Sequence, residues 1–217
     1  MVDPIKKRAK AHIRYKNAAG KVVPGTTTIV GELAKPYLVT WANRLGLEGI
    51  DATQYRDTAA DIGKLIHLMV QCDLQGVEPD TTDFSASDID AAQNGVIKWY
   101  EWKKGKVITP ILIETPLVSG QYQYGGTLDL YAEVDGSLDL IDLKSGKSVY
   151  LEHLIQLGAY VNLLREHGKP VNRARILRIG RDETEGFEER ILTDVQDYWE
   201  IFKHLRAIYD LKKKVAA

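Results

Sequence analysis

Gly126-Thr-Leu-Asp-Leu-Tyr-Ala-Glu-Val-Asp-Gly-Ser-Leu-Asp-Leu-Ile-Asp-Leu-Lys144 is the stretch that decides the fold. Its centre, Val134-Asp135-Gly136-Ser137, is a strong two-residue hairpin signal. With Asp135-Gly136 as the loop, Val134 faces Ser137 and every cross-strand pair sums to the same number. Asp129 then stands directly opposite Asp142, and Lys144 lies two residues further along the same face. Directly opposed carboxylates have Cβ atoms roughly 5 Å apart and repel each other, so stability alone does not keep such a pair. A divalent cation between them turns repulsion into binding, because hard cations take carboxylate oxygens. A lysine beside that cation can hold a water or a phosphate oxygen.

The same register sorts the hairpin into two faces. Leu128, Leu130, Ile141 and Leu143 point one way, a core face apart from Asp139 beside the turn. Thr127, Asp129, Tyr131, Leu138, Leu140, Asp142 and Lys144 point the other way. This second face is apolar at its Leu138 and Leu140 end and carries Asp, Asp, Lys at the other. A merely solvated face would not hold those leucines, so the carboxylates are expected at the margin of a cleft. Against this stands a surface salt bridge between Lys144 and one aspartate, which is worth little. Asp-x-Lys alone is common; the opposed Asp129 and the flanking elements favour a site.

Outward from the hairpin, Lys106 to Val118 reads as a preceding strand, and the hairpin strands as Tyr122 to Glu133 and Ser137 to Lys144. A helix is expected from about Tyr150 to His167, ended by Gly168 with Pro170 beyond. Arg173 to Ile179 and Phe187 to Leu192 read as strands, and Thr193-Asp194 opens a last amphipathic helix to about Lys213. On the N-terminal side, residues 10 to 24 read as a short hairpin turning at Asn17-Ala-Ala-Gly20. Thr26 is expected to cap a helix, and Pro36 to open another to about Leu47. Asp51 caps a long helix to Gln75, closed by Gly76, with Ile62, Leu65, Ile66, Met69 and Val70 as its apolar stripe. Ser85 or Ser87 starts a further helix through Trp99 and Trp102. The order predicts a mixed central sheet flanked by helices, an α/β fold with an N-terminal helical region, in one domain over residues 1–217.

The composition fits this reading. The chain has 217 residues, 44% hydrophobic and 27% charged, as in ordinary globular proteins. No apolar run approaches a membrane span, and the N-terminal charges are followed by no apolar segment, so neither a membrane nor a signal peptide is expected. The expected location is the cytoplasm of a bacterial or phage-infected cell. Cys72 is the only cysteine, which leaves no internal disulfide and no multi-cysteine zinc or iron–sulfur site. With 29 basic against 30 acidic residues, bulk charge does not coat nucleic acid; any binding goes through a local patch. The basic clusters are Lys6, Lys7, Arg8 and Lys10; Lys103, Lys104 and Lys106; and Lys212 to Lys214. Each alone reads as a solvated face.

Further residues bear on the site. Gln156 and Tyr160 are four apart on a helix and share one face; a glutamine can bond a phosphate or base, and a tyrosine can stack or donate to phosphate. The plainer reading is a packed tyrosine with a polar neighbour. In Gly63-Lys-Leu-Ile-His67, the histidine sits at the shoulder of the apolar stripe, and Gly63 one turn earlier leaves room for a backbone to approach. His67 is either a boundary packing residue or a ligand through neutral imidazole. Glu114 interrupts an apolar strand and needs a partner, which is a metal, a water or Lys144, or else a surface base at a strand end.

Taken in order, His67, Glu114, Gly126-x-x-Asp129, Asp142-x-Lys144 and Gln156-x-x-x-Tyr160 resemble the PD-(D/E)XK nuclease superfamily. More closely they look like its RecB-type branch, which includes the mitochondrial genome-maintenance exonuclease. The motif-bearing core covers about residues 60 to 165, and Pro24-Gly-Thr-Thr-Thr-Ile-Val through Lys35-Pro-Tyr-Leu-Val-Thr-Trp41 is similar to the opening of phage and prophage members. The resemblance implies a restriction-endonuclease-like core and a Mg²⁺- or Mn²⁺-dependent deoxyribonuclease, with one or two ions. His67, Asp129 and Asp142 would be ligands, with the Leu143 carbonyl a fourth. Lys144 would be the catalytic lysine, Glu114 would join the catalytic set, and Gln156 and Tyr160 would contact nucleic acid. Cluster-bearing relatives need four cysteines, so no iron–sulfur cluster is expected.

On that resemblance the cation activates a water and neutralises phosphate charge, while Lys144 orients the water or stabilises the phosphorane. An exonuclease in recombination, repair or phage DNA processing leads, acting at DNA ends, and an endonuclease follows. A recombination or helicase partner protein and a homo-oligomer are compatible with it. The competing readings are an inactive nucleic-acid-binding protein and an unrelated α/β protein with a coincidental pattern. The hairpin register separates the last from the rest.

Overall fold

The computed structural model describes residues 14–182 and 184–216, so the basic cluster from Lys6 to Lys10 lies outside the described residues. A five-stranded mixed sheet runs in the order β1 (Ile108–Val118), β2 (Gly125–Val134), β3 (Ser137–Ser145), β4 (Arg173–Ile179), β5 (Phe187–Leu192). All neighbours are antiparallel except β3 and β4. A parallel step needs a crossover, and among the helices α1 (Thr26–Val30), α2 (Tyr37–Leu47), α3 (Ala52–Gln75), α4 (Ala86–Lys103), α5 (Leu151–Glu166) and α6 (Gln196–Val215), α5 makes it. The β2–β3 turn is of the expected kind: Asp135 and Gly136 have φ of 51° and 78°. Val134 pairs with Ser137, and the ladder runs in the expected register to Leu130 opposite Ile141.

The helices form by local chemistry already legible in the chain. Asp51 accepts from the Thr53 and Gln54 amides at 2.7 and 3.0 Å, and Gly76 ends α3 at φ 67°. Ser85 accepts from the Asp88 amide at the start of α4. Asp194 takes the Gln196 amide at 2.8 Å before α6. Thr26 departs from expectation. Gly25 holds the cap position of α1, and the Thr26 hydroxyl instead donates to the Gly125 carbonyl at 3.0 Å.

Two apolar layers hold the sheet. On one face α1, α5 and α6 cover Tyr131, Leu140 and Ile176, with Trp199 and Phe202 among them. On the other, α3 and α4 cover Leu130, Ile141, Leu143 and Leu177 with the stripe Leu65, Ile66, Met69 and Val70. A fully buried side chain of this size contributes about 1.5–3 kcal/mol. Asp139, fully buried, is held by Arg173 and Arg175 at 2.9 and 2.5 Å.

The expected faces need one correction. Leu128 belongs with Tyr131 and Leu140, not with Leu130, Ile141 and Leu143. In the neighbouring β1, Leu112 and Leu117 pack against the first layer but Ile113 against the second. Strict alternation would put Leu112 and Leu117 on opposite faces, so alternation slips in both strands between these positions. The irregularity that accompanies it is Glu114, whose φ of 46° is left-handed, between the pairs Ile113–Leu130 and Thr115–Leu128.

Candidate metal centre

The slip in strand alternation positions the site. Glu114 and Asp129 occupy facing positions where it occurs, and both turn toward His67 on α3. The His67 Nδ1 lies 3.5 Å from Asp129 Oδ1 and 4.0 Å from Glu114 Oε1. One ligand atom from each of the three lies within 4.8 Å of the others, a spacing that can hold a metal ion. Glu114 reaches this place through a backbone conformation that costs a non-glycine residue of order 1–3 kcal/mol. A surface glutamate at a strand end would not require it.

Asp129 and Asp142 come together, though not as two side chains rising from a flat ladder. The pairing ends one step short of them, at Leu130 and Ile141. Asp129 Oδ2 accepts the Leu143 amide hydrogen at 2.8 Å, so this carboxylate enters the plane of the sheet. Asp142 is 1% exposed. Its Oδ2 is in an ion pair with the Lys144 ammonium, and its Oδ1 has no hydrogen-bond partner. A buried carboxylate oxygen without a donor is rare and costly, and it fits a cation site.

The electrostatics follow from this crowding. Burial pushes the Asp142 carboxyl upward; Lys144 opposes the shift and Asp129 adds to it. For Asp129, burial is outweighed by His67 and Lys144, which hold it well below the usual carboxylate range. Burial disfavours the His67 imidazolium, but Asp129 and then Glu114 outweigh it and raise its pKa. Ligation needs the neutral imidazole while the two carboxylates favour the imidazolium, so proton and cation compete at His67.

Small residues let the elements meet. A Cβ at Gly63 would overlap Ser145 Oγ, so α3 lies against the end of β3; the approach expected there from a backbone is made by a side chain. A Cβ at Gly126 would overlap the Tyr160 ring and Thr26 Oγ1. Tyr160 is 5% exposed, and its hydroxyl accepts from Gln156 Nε2 at 2.7 Å. The pair shares one face as expected, and both residues line the cleft. This cleft, about 700 Å³, is also lined by His67, Asp129, Lys144, Gly63 and Ser145.

Two neighbours escaped the sequence reading. Tyr15 lines the cleft and bonds Thr127 Oγ1 at 2.9 Å, 112 residues away in the chain. Its ring lies where a Cβ of Gly125 would be, and the glycine pair 125–126 was the only local hint. His153 sits one turn into α5. Burial, and then Lys144, push its pKa down to about 4.

No family model matches the chain, and no curated protein matches it. Among solved structures, a putative exonuclease from Eubacterium rectale is 11% identical, with a TM-score of 0.46 over 70% of this chain and 65% of that one. An alkaline exonuclease from Laribacter hongkongensis is 14% identical, at 0.35 over 73% of this chain and 90% of that one. The protein SSO0001 is 16% identical, at 0.32 over 68% and 71%.

Proposed function

We infer that this chain is a metal-dependent deoxyribonuclease of the PD-(D/E)XK kind, hydrolysing phosphodiester bonds as an exonuclease, with an endonuclease as the second form. The observation that carries the reading is Asp142: a buried carboxylate with one oxygen lacking any donor, ion-paired to Lys144, beside the His67, Glu114 and Asp129 group. Asp129, Asp142 and His67 would hold Mg²⁺ or Mn²⁺, with Glu114 and the Leu143 carbonyl completing the set. Such an ion supplies Lewis acidity and an activated water. Lys144, tethered by Asp142 at the wall of the cleft, orients the attacking water and balances charge on the phosphate oxygens. Water adds to phosphorus as the bond to the leaving oxygen breaks, and the leaving strand takes the proton as a free 3′ hydroxyl. Gln156 donates to the Tyr160 oxygen, which leaves the Tyr160 hydrogen free to be donated to a phosphate oxygen.

End-labelled linear single- and double-stranded DNA and a closed circle, incubated with Mg²⁺, Mn²⁺ or EDTA, test this directly, with Lys144→Ala as control. Metal-dependent cleavage that needs Lys144 and spares the circle is the expected result, and cutting of the circle selects the endonuclease. Folded protein that binds Mn²⁺ but cuts nothing would overturn the reading in favour of an inactive binding module.

A further inference from the structure

Tyr37 and Tyr150 are large aromatic residues left 44% and 41% exposed. Their rings lie parallel, 7° apart in plane and 5.8 Å between centroids. They come from the start of α2 and the cap of α5, 113 residues apart, so the pairing is a product of the fold. Two exposed rings gain little from stacking on each other in water, yet this pair is fixed. The Tyr37 hydroxyl donates to Glu152 Oε1 at 2.8 Å, and Lys35 binds the same oxygen at 3.1 Å. Burial and Glu152 push the Tyr37 hydroxyl pKa up to about 12, so it stays a donor. On its other side Tyr150 meets the His153 ring edge-on at 5.5 Å, one turn into α5. The aromatic pair therefore stands where the chain passes from the candidate site into α5, Tyr150 following Lys144 by six residues. The loop that joins Lys144 to Tyr150 carries Lys147, exposed.

We propose that Tyr37 and Tyr150 form a stacking platform for unpaired bases of the strand presented to Lys144, so that the chain takes single-stranded DNA or a frayed end. The proposal rests on the nuclease reading above and deepens it. A flat, rigid, solvent-facing ring accepts any base, because every base has a π face. Inside a duplex only the terminal pair offers one, so the platform discriminates against intact duplex. Stacking of one base corresponds to roughly a five- to hundred-fold change in affinity. Lys147 would pair with the backbone phosphate of the seated strand.

The test measures anisotropy of a fluorescein-labelled dT20 strand and of a blunt 20-base-pair duplex in EDTA, with full-length protein carrying Lys144→Ala to suppress cleavage. Into this are placed Tyr37→Ala, Tyr150→Ala, Tyr37→Phe and Tyr150→Phe. The alanine variants should lose about ten-fold or more in affinity for the single strand and less than three-fold for the duplex; Tyr150→Phe should keep it, and Tyr37→Phe, whose ring loses its tether to Glu152, should fall between. In the otherwise native chain, hydrolysis of thymidine 5′-monophosphate p-nitrophenyl ester reports the centre without a strand, and should stay within two-fold. Unchanged single-strand affinity in the alanine variants, or equal losses on strand and duplex, would overturn the platform and return these rings to contact with another protein. Failure of the native chain to cut either the ester or DNA would sink the nuclease reading, while the anisotropy arm would still decide the platform.

Discussion

Replacing Asp142 by Asn should make this protein more stable and inactive at once. Asp142 is 1% exposed, and its Oδ1 has no donor. Keeping an unsatisfied buried polar oxygen costs about 1–3 kcal/mol, more when charged. Removing the charge also deprives Lys144 of its partner, a loss that can be severe when the survivor is sealed off from water. Here it is not sealed off: the Lys144 side chain is 17% exposed on the wall of the cleft and also feels Asp129. The relief should win by about 1–2 kcal/mol, which for a chain of this size raises Tm by about 2–8 °C. The sign with pH follows from the upward shift of Asp142. The folded protein holds this proton more tightly than the unfolded chain, so its contribution is favourable below the ordinary value of 3.8 and is lost as pH rises through the folded value. The advantage of Asn should therefore be full at pH 7.5 and should shrink as the pH is lowered below the folded value. Cation reverses the order. At a hundred-fold excess over Kd, bound ion adds about 2.7 kcal/mol to the native protein and less to the variant. Thermal unfolding by circular dichroism in EDTA, then in 10 mM Mg²⁺ or Mn²⁺, measures both effects. A folded Asp142→Asn protein that melts below the native chain in EDTA would refute the reasoning, and one that still cuts DNA would refute the role of this residue.

Three further outcomes are expected. Glu114→Gln keeps the left-handed backbone but removes a charge from the His67 and Asp129 group, so Mn²⁺ affinity by calorimetry should fall about ten-fold with Tm in EDTA nearly unchanged. Gly126→Ala drives a methyl into the Tyr160 ring and Thr26, so it should cost about 1–3 kcal/mol by urea unfolding and lower cleavage with it. Asp139→Ala leaves Arg173 and Arg175, the latter 5% exposed, without their shared carboxylate, and should cost about 3–5 kcal/mol while leaving metal affinity unchanged in the protein that folds.

Much of this architecture was legible because its causes are local. The Asp135-Gly136 turn, the Asp51 and Ser85 caps, the Gly76 stop and the periodicity of α3 each act within a few residues. Thr26 was misread for the opposite reason: its hydroxyl had a better partner in Gly125, 99 residues on. The same holds for Gly63, whose missing Cβ admits Ser145 rather than a backbone.

By itself the sequence determined where strands and helices fall along the chain, the hairpin register and the set of acidic, basic and imidazole groups available to a site, since turns, caps and alternation are short-range rules of backbone geometry. Only the tertiary structure decided how those groups meet. A simple register would have raised Asp129 and Asp142 side by side from one face. The slip at Glu114 instead turns Asp129 into the sheet plane against Leu143 and swings Glu114 toward His67. No local rule signals that conformation, because its cost is met by contacts that β1, β2 and α3 make only once they are packed together.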